Sequence, residues 1–303
     1  MTAENPAVTV GLPVFNGENY LNEALESLLS QDFEDFELVI SDNASTDNTR
    51  LILEEWAARD PRVKVSLNDR NVGGAANFNR VLALARGQYF RWASHDDLVA
   101  PEMLRTCMAA IEEEGPSCVL VYPQTVVIDS EGSAVELFDN RLDLLSRDPV
   151  DRLRTFIKNY TRSNVIFGLM RTEAIRSVGG LPDYNPGDVV MIAALALRGR
   201  FVEIPKPLFM RRIHEEMSWK ASKTPEGFAK WFNPARDPLV SFPRWRAWRG
   251  MIRVPWSSPL TLGQKVRATA VVLLTWPSRY RSQLAREITR IPRVLLRRTI
   301  RPR

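Results

Sequence analysis

The sequence predicts an α/β protein: a mixed, mostly parallel sheet flanked by helices, followed by a basic helical C-terminal extension. Three observations carry this. Short β-rich apolar runs alternate with amphipathic stretches through the first 125 residues. A turn sequence, Asp129-Ser130-Glu131-Gly132, separates two further β-type runs. Beyond about residue 223 the chain becomes rich in Trp, Pro and Arg.

In chain order, AVTVGL (7–12) reads as the first strand, and ENYLNEALESLLSQ (18–31) as a helix with Leu21, Leu25, Leu28 and Leu29 on one face. FELVIS (36–41), VKVSL (63–67) and QYFRWAS (88–94) read as strands, with helices at 48–59 and 75–86 between them. This βαβαβαβ order implies parallel strands covered on both faces. Pro101 opens a helix ending at Gly115, and CVLVY (118–122) supplies another strand. The hairpin at 129–132 makes the later sheet mixed. Helices are expected at 149–160 and 188–198, and a strand at 201–204 runs into Pro205 and Pro207. Residues 261–303 read as two basic helices separated near Trp276-Pro277.

The net charge of +5 on 303 residues hides an asymmetry. Residues 244–303 hold 15 Lys and Arg against one acidic residue, Glu287, for +14, whereas the preceding chain holds 26 basic and 35 acidic residues, for −9. A basic end of this kind fits an anionic partner. Its interleaved Trp231, Trp245, Trp248, Trp256 and Trp276 suit an anionic membrane surface, and equally a tail packed on the preceding domain. No nucleic-acid-binding module accompanies the charge. The start, MTAENPAVTV, has no basic segment leading into an apolar one, and no run reaches the roughly 20 apolar residues that span a bilayer. The expected location is the cytoplasm, with a peripheral place at the inner face of the membrane open to it. Cys107 and Cys118 have no metal-ligand or redox spacing and read as buried thiols.

In open α/β sheets, ligands sit beyond the carboxyl ends of the strands. Here those ends carry Pro13-Val14-Phe15-Asn16-Gly17, Asp42-Asn43-Ala44-Ser45-Thr46-Asp47, Asn68-Asp69-Arg70-Asn71-Val72-Gly73-Gly74 and His95-Asp96-Asp97. Carboxylates, amides and an Arg on one rim look like a nucleotide and metal site. Helix capping accounts as well for Asp47, and a turn for Asn71 with Gly73-Gly74, but neither explains Asp42 or the Asp96-Asp97 pair.

The run from Val8 to Asp97 resembles the family-2 glycosyltransferases of the Rossmann-like GT-A fold, and the resemblance extends over about 215 residues. It implies a sugar transferase acting with inversion, using a nucleotide-diphosphate sugar and Mn²⁺ or Mg²⁺, in cell-surface glycan, glycolipid or glycosylated-metabolite synthesis. The acceptor would be a glycan, a lipid-linked molecule or a small molecule. A GT-A domain over 1–222 is then expected, with 1–125 as nucleotide-binding half and 126–222 as acceptor half, ahead of the extension at 223–303. By resemblance, Pro13, Phe15, Asp42, Arg70, Asn71 and Asp96 contact the donor. The family's Asp-x-Asp motif corresponds to His95-Asp96-Asp97, with His at the first acidic position. Asp97 becomes the direct metal ligand, Asp96 the contact to ribose or a metal-bound water, and His95 a supporting residue. Asp188, ahead of VVMIAALALRG, corresponds to the base that deprotonates the acceptor, with Asp183 as the alternative and Gly187 where the family usually has Glu. The segment from Arg211 to Ser218 resembles the Arg-x-His…Ser stretch that closes over the diphosphate, making His214 a second metal ligand.

Competing readings remain. A noncatalytic nucleotide-sugar-binding or membrane-docking protein would explain His95 and Gly187. A nicotinamide dehydrogenase shares the βαβ pattern but needs Gly-x-Gly-x-x-Gly after the first strand, where PVFNG stands. A nucleotidyltransferase needs a Gly-rich basic phosphate loop there, which is absent.

Overall fold

The structure is a computed structural model describing residues 5–138, 142–161, 163–215, 217, 227, 231–234 and 242–289. Strands β1 (Val8–Val14) and β2 (Phe36–Asp42) are buried along their whole length, as parallel strands covered on both faces must be. With β3 (Val63–Leu67) and β4 (Tyr89–Trp92) they form the parallel half of the sheet. Helices α1 (Leu21–Leu29), α2 (Thr49–Arg59) and α3 (Gly74–Leu84) make the crossovers. In α1, Leu21, Leu25, Leu28 and Leu29 are buried together with Ala24, the face expected from their spacing.

After β4 the sheet turns mixed. A short β5 (Leu98–Val99) leads into α4 (Met103–Glu113), followed by β6 (Cys118–Ile128) and β7 (Ala134–Phe138). β6 and β7 pair antiparallel around the expected turn. Helix α5 (Pro149–Asn159) starts at Asp148, whose side chain accepts from Val150 N, and has Pro149 in its first turn. Strand β8 (Leu169–Arg171), α6 (Thr172–Ser177), α7 (Gly187–Arg198) and β9 (Arg200–Arg212) complete the domain. The sheet order is β3-β2-β1-β4-β8-β6-β9-β5, with β7 beside β6. β8 is antiparallel to both β4 and β6, whereas β6 and β9 run parallel.

Two expectations are corrected here. The strand expected at 201–204 continues through Pro205 and Pro207 to Arg212. The register of β9 against β6 shifts on both sides of Gln124, the residue opposite Pro207, so proline falls at an irregularity where a missing N–H is tolerated. The expected separation near Trp276-Pro277 falls three residues later, as a kink at Tyr280 between two continuous helical stretches. Helix α8 (Pro243–Arg253) is followed by α9 (Leu262–Ile288), which carries Pro277 inside it and departs from helical dihedrals only at Tyr280. The remainder of the second expected basic helix, beyond residue 289, lies outside the described residues. A reciprocal cap, Thr261 with Gln264, starts α9.

Two apolar cores flank the sheet. One joins α1 and α4 to the strands through Leu25, Leu28, Met103 and Ile111. The other joins α5 and α7 to the C-terminal helices through Phe156, Ile192, Met251, Val272 and Trp276. Helix α7 is buried from Val189 to Leu197, which is why it is apolar on all sides. Both cysteines are free and buried.

Candidate active site

A cavity of about 780 Å³ opens beyond the carboxyl ends of β1, β2 and β4. Its floor is built by amides. Asn77, buried in α3, accepts from the Ser41 hydroxyl (2.7 Å) and the Asn68 amide (3.0 Å). It donates to the carbonyls of Ser41 (2.9 Å) and Val14 (3.4 Å), tying β1 to β2. Asn43 accepts from Val72 N (2.9 Å) and donates to Asn71 Oδ1 (3.0 Å), which also accepts from Gly73 N (2.9 Å). Gly73 has φ +90°, and a Cβ there would stand 2.7 Å from the Phe232 carbonyl, so only glycine fits.

The loop after β1 is held by the loop after β2. Asn16 Oδ1 accepts from Thr46 N (2.9 Å), and Gly17 N donates to the Thr49 hydroxyl (2.8 Å). Asp47 accepts from Glu18 N (3.1 Å) and Thr49 N (3.1 Å). Partial burial opposes its ionisation, but the Thr49 and Glu18 hydrogen bonds win and hold its carboxyl below the usual range. The capping reading of Asp47 therefore describes its bonds, although the residue also lines the cavity.

The opposite wall carries the charges. Asp96 accepts from the Ser94 hydroxyl and faces His214 Nε2 at 3.0 Å. Burial works against its charge, but His95 and the bonds from His214 and Ser94 hold it well below the carboxylate range. Asp97 is pushed the other way, by burial and then by Asp96 beside it, against the pull of Arg211, Arg212 N–H and Arg91. Its Oδ1 accepts from Arg212 N at 2.9 Å. Like charges at this separation push apart in affinity for the proton. Arg91 stands behind the wall with both Nη atoms unpartnered, and burial lowers it to about 10.

Arg212 pins this wall. Its guanidinium donates to the Asp96 carbonyl (3.0 Å), the Ser130 carbonyl (2.9 Å) and Glu23 Oε2 (2.6 Å), and lies over the Tyr20 ring at 4.6 Å. Tyr20 also packs on the His214 ring, with centroids 4.7 Å apart. His214 Nδ1 is buried without a hydrogen-bond partner.

Of the residues expected at the site, Pro13, Phe15, Asn71, His95, Asp96, Asp97 and His214 line this cavity. Asp42, Arg70, Asp183 and Asp188 are not in its wall. Asp42 is buried and accepts from Ser45 N (3.1 Å) and the Ser45 hydroxyl (2.5 Å), which shapes the loop after β2. Asp188 is half-buried in the first turn of α7, with the Tyr160 hydroxyl 3.4 Å from its Oδ2, and Asp183 Oδ2 accepts from Asn233 (3.1 Å). Ser218, the end of the Arg-x-His…Ser segment, lies outside the described residues.

The wall also contains Tyr20, Phe78 and Phe167, which the sequence did not single out, and Trp231, which it singled out only for the C-terminal extension. Tyr20 could have been found there, because the residue preceding α1 faces the same rim as the strand ends. Phe167 and Trp231 arrive from distant segments and carry no local signal of a place at this site. Among the described residues, no three His, Cys, Asp or Glu side chains are grouped to enclose a metal ion. Two carboxylates and an imidazole on one wall are nonetheless the donor types that a hard divalent cation accepts, with the rest of its sphere left to substrate oxygens.

Parallel strands feeding amides and carboxylates into one cleft beyond their carboxyl ends define a nucleotide-binding class of α/β domain. Comparison with known proteins narrows it. The family model described as glycosyl transferase family 2 matches residues 9–176. Chondroitin synthase from Escherichia coli is 33% identical over 213 residues, which make up 70% of this chain and 29% of the synthase. This chain belongs to glycosyl transferase family 2. The chain thus spans under a third of the length of that curated relative. Among solved structures, S. aureus TarS 1–349 in complex with UDP superposes with a TM-score of 0.63 at 21% identity, covering 89% of this chain and 72% of that 1–349 chain. The mannosyltransferase PcManGT from Pyrobaculum calidifontis, in complex with GDP-Man and Mn²⁺, gives 0.54 at 19% identity, covering 94% of this chain and 85% of that one. These likenesses bear out the expected GT-A fold.

Proposed function

We propose that the chain is an inverting, metal-dependent glycosyltransferase that moves a sugar from a nucleotide-diphosphate donor to an acceptor hydroxyl. The observation that carries this is the cavity wall, where Asp96, Asp97, His214 and Arg211 converge opposite the amides of the β2 and β3 loops. That pairing suits a nucleotide on one side and a diphosphate with its cation on the other. Asp97 and His214, with Asp96 beside them, would hold Mn²⁺ or Mg²⁺; the cation, when bound, offsets the charge that develops on the departing diphosphate. PcManGT, solved with GDP-Man and Mn²⁺, supports that choice by analogy of fold.

The reaction proposed has one displacement. The acceptor hydroxyl gives its proton to a carboxylate, its oxygen forms a bond to the anomeric carbon, and the bond from that carbon to the diphosphate breaks, the electron pair leaving with the diphosphate. The family resemblance assigns the base to Asp188, which stands in the first turn of α7 outside the cavity wall. Attack from the face opposite the leaving group inverts the anomeric centre. Asn43 and Asn71 would position the base and ribose half of the donor, and Tyr20 holds the His214 ring in place.

The experiment is turnover of a panel of UDP, GDP and TDP sugars with simple sugar and lipid-linked acceptors, with product anomers assigned by NMR. An inverted product is expected. Asp188→Asn is expected to lower kcat by about 10²- to 10⁴-fold with donor affinity kept, the range of a lost general base. If instead Asp183→Asn alone stops turnover, the assignment moves to Asp183. A retained anomer overturns the single-displacement reading.

A further inference from the structure

We infer that the solvent face of α9 is a docking surface for an anionic lipid bilayer. The inference does not rest on the proposed catalytic reading. Through its first four turns α9 is apolar on two opposite sides. One side, Ala268, Val271, Val272 and Trp276, is buried against the catalytic domain, chiefly on α5. The other side points away from it: Leu262 is 69% exposed, Val266 55%, Leu273 47% and Leu274 75%. These four, with exposed Ala270 between them, recur at spacings that put them on one helical face. A helix that is apolar all round is normally buried all round, and here only one side is. Trp256, 52% exposed, stands in the short connection leading into α9.

Charge selects the occupant. Lys265 and Arg267 flank the stripe on α9, with Arg267 paired to Asp148 at 2.7 Å, Arg281 and Arg286 come after it, and Arg249 and Arg253 are exposed on the preceding α8. From Pro243 to Thr289 the only acidic residue is Glu287, and it is buried, accepting from Arg244 N (3.0 Å) and from Arg244 and Trp245 N (3.2 and 3.4 Å to its other oxygen). An apolar stripe with a net cationic border, and no exposed carboxylate from Pro243 to Thr289, matches a surface whose headgroups are anionic and whose interior is apolar. It does not match a second copy of itself, because two such borders would repel. Among the described residues no helix is long and apolar enough to cross a membrane, so the surface lies on the bilayer instead of passing through it.

The test is vesicle flotation of the full chain at about 0.1 M salt, with phosphatidylcholine vesicles and with vesicles containing about a third phosphatidylglycerol, where screening still leaves near-surface attraction. Wild type is expected to float with the anionic vesicles at least tenfold more than with the neutral ones, and to be released as salt rises to about 1 M. Leu273→Glu with Leu274→Glu, at exposed positions where folding is checked by circular dichroism, is expected to lose at least tenfold of the bound fraction. Arg249→Glu with Arg253→Glu is expected to do the same without touching the stripe. Absence of wild-type flotation with anionic vesicles overturns the inference. So does sedimentation showing a dimer that the leucine substitutions dissociate in the absence of lipid.

Discussion

At the scale of single residues, the site depends on side chains that hold loops together before any ligand arrives. Asn77 does the most. It is buried and bonds the ends of β1 and β2, with Asn68 adding the loop after β3. Asn77→Ala would remove the buried partner of the Ser41 hydroxyl and carbonyl, while the Val14 carbonyl keeps its bond from Asn43 N (2.9 Å), at about 1–3 kcal/mol for unsatisfied buried groups. Urea denaturation should show a lowered midpoint with an unchanged slope. A midpoint equal to wild type would mean water replaces the amide and the hub is not structural. Asn77 was not legible in the sequence, because an Asn within a helical stretch gives no sign of what it meets across the fold. Asp96 and Asp97 were legible, because adjacent carboxylates just past a strand have no helix to cap and no turn to form. Their roles were read by resemblance alone, and their different partners could not be read: the Arg212 N–H on Asp97 and the His214 ring on Asp96 come from more than a hundred residues away in the chain.

At the scale of elements, periodicity made the first half of the chain readable. β1 to β4 and α1 to α4 each present enough residues for a period of two or of 3.6 to show. β5 and β8, of two and three residues, do not. The sequence suggests a shorter β9, because proline removes a ladder donor, yet an irregular register opposite β6 absorbs Pro207. Pro277 likewise signals a break that α9 bridges with a local departure three residues later, at Tyr280. The lone acidic residue of the C-terminal region has an unexpected task. Glu287, near the end of α9, accepts from the first free N–H groups of α8 and so caps one C-terminal helix with the other. Glu287→Ala should cost about 1–2 kcal/mol, the range of a lost helix cap, read as a fall in the thermal midpoint. An unshifted midpoint would show that water satisfies those groups at no cost.

At the scale of the whole molecule, the C-terminal helices share one apolar core with the sheet-and-helix body that precedes them. Ala247, Met251, Val272 and Trp276 pack into the cluster that contains Phe156 and Ile192. The composition change that marked the extension in the sequence divides between its two sides: exposed Arg residues and Trp256 face solvent, whereas Trp276 is buried and Trp245 and Trp248 pack on the core. Its buried side is ordinary core. The same division explains the electrostatics: the acidic body carries the cleft, and the positive charge is gathered on the C-terminal segment that begins with α8 and α9. A cation in the cleft would then be drawn by Asp96 and Asp97 while the C-terminal face attracts anions, so the two surfaces need not compete.

The central claim is that this cleft binds a nucleotide diphosphate together with a divalent cation. Isothermal titration of UDP, GDP and TDP into wild type and Asp97→Ala, each with and without Mn²⁺, tests it most directly. One nucleotide should bind wild type at least tenfold more tightly with Mn²⁺, and Asp97→Ala should remove that difference while staying folded. Folded wild type that binds none of the three, with the metal or without it, would contradict that claim and return the chain to the noncatalytic reading.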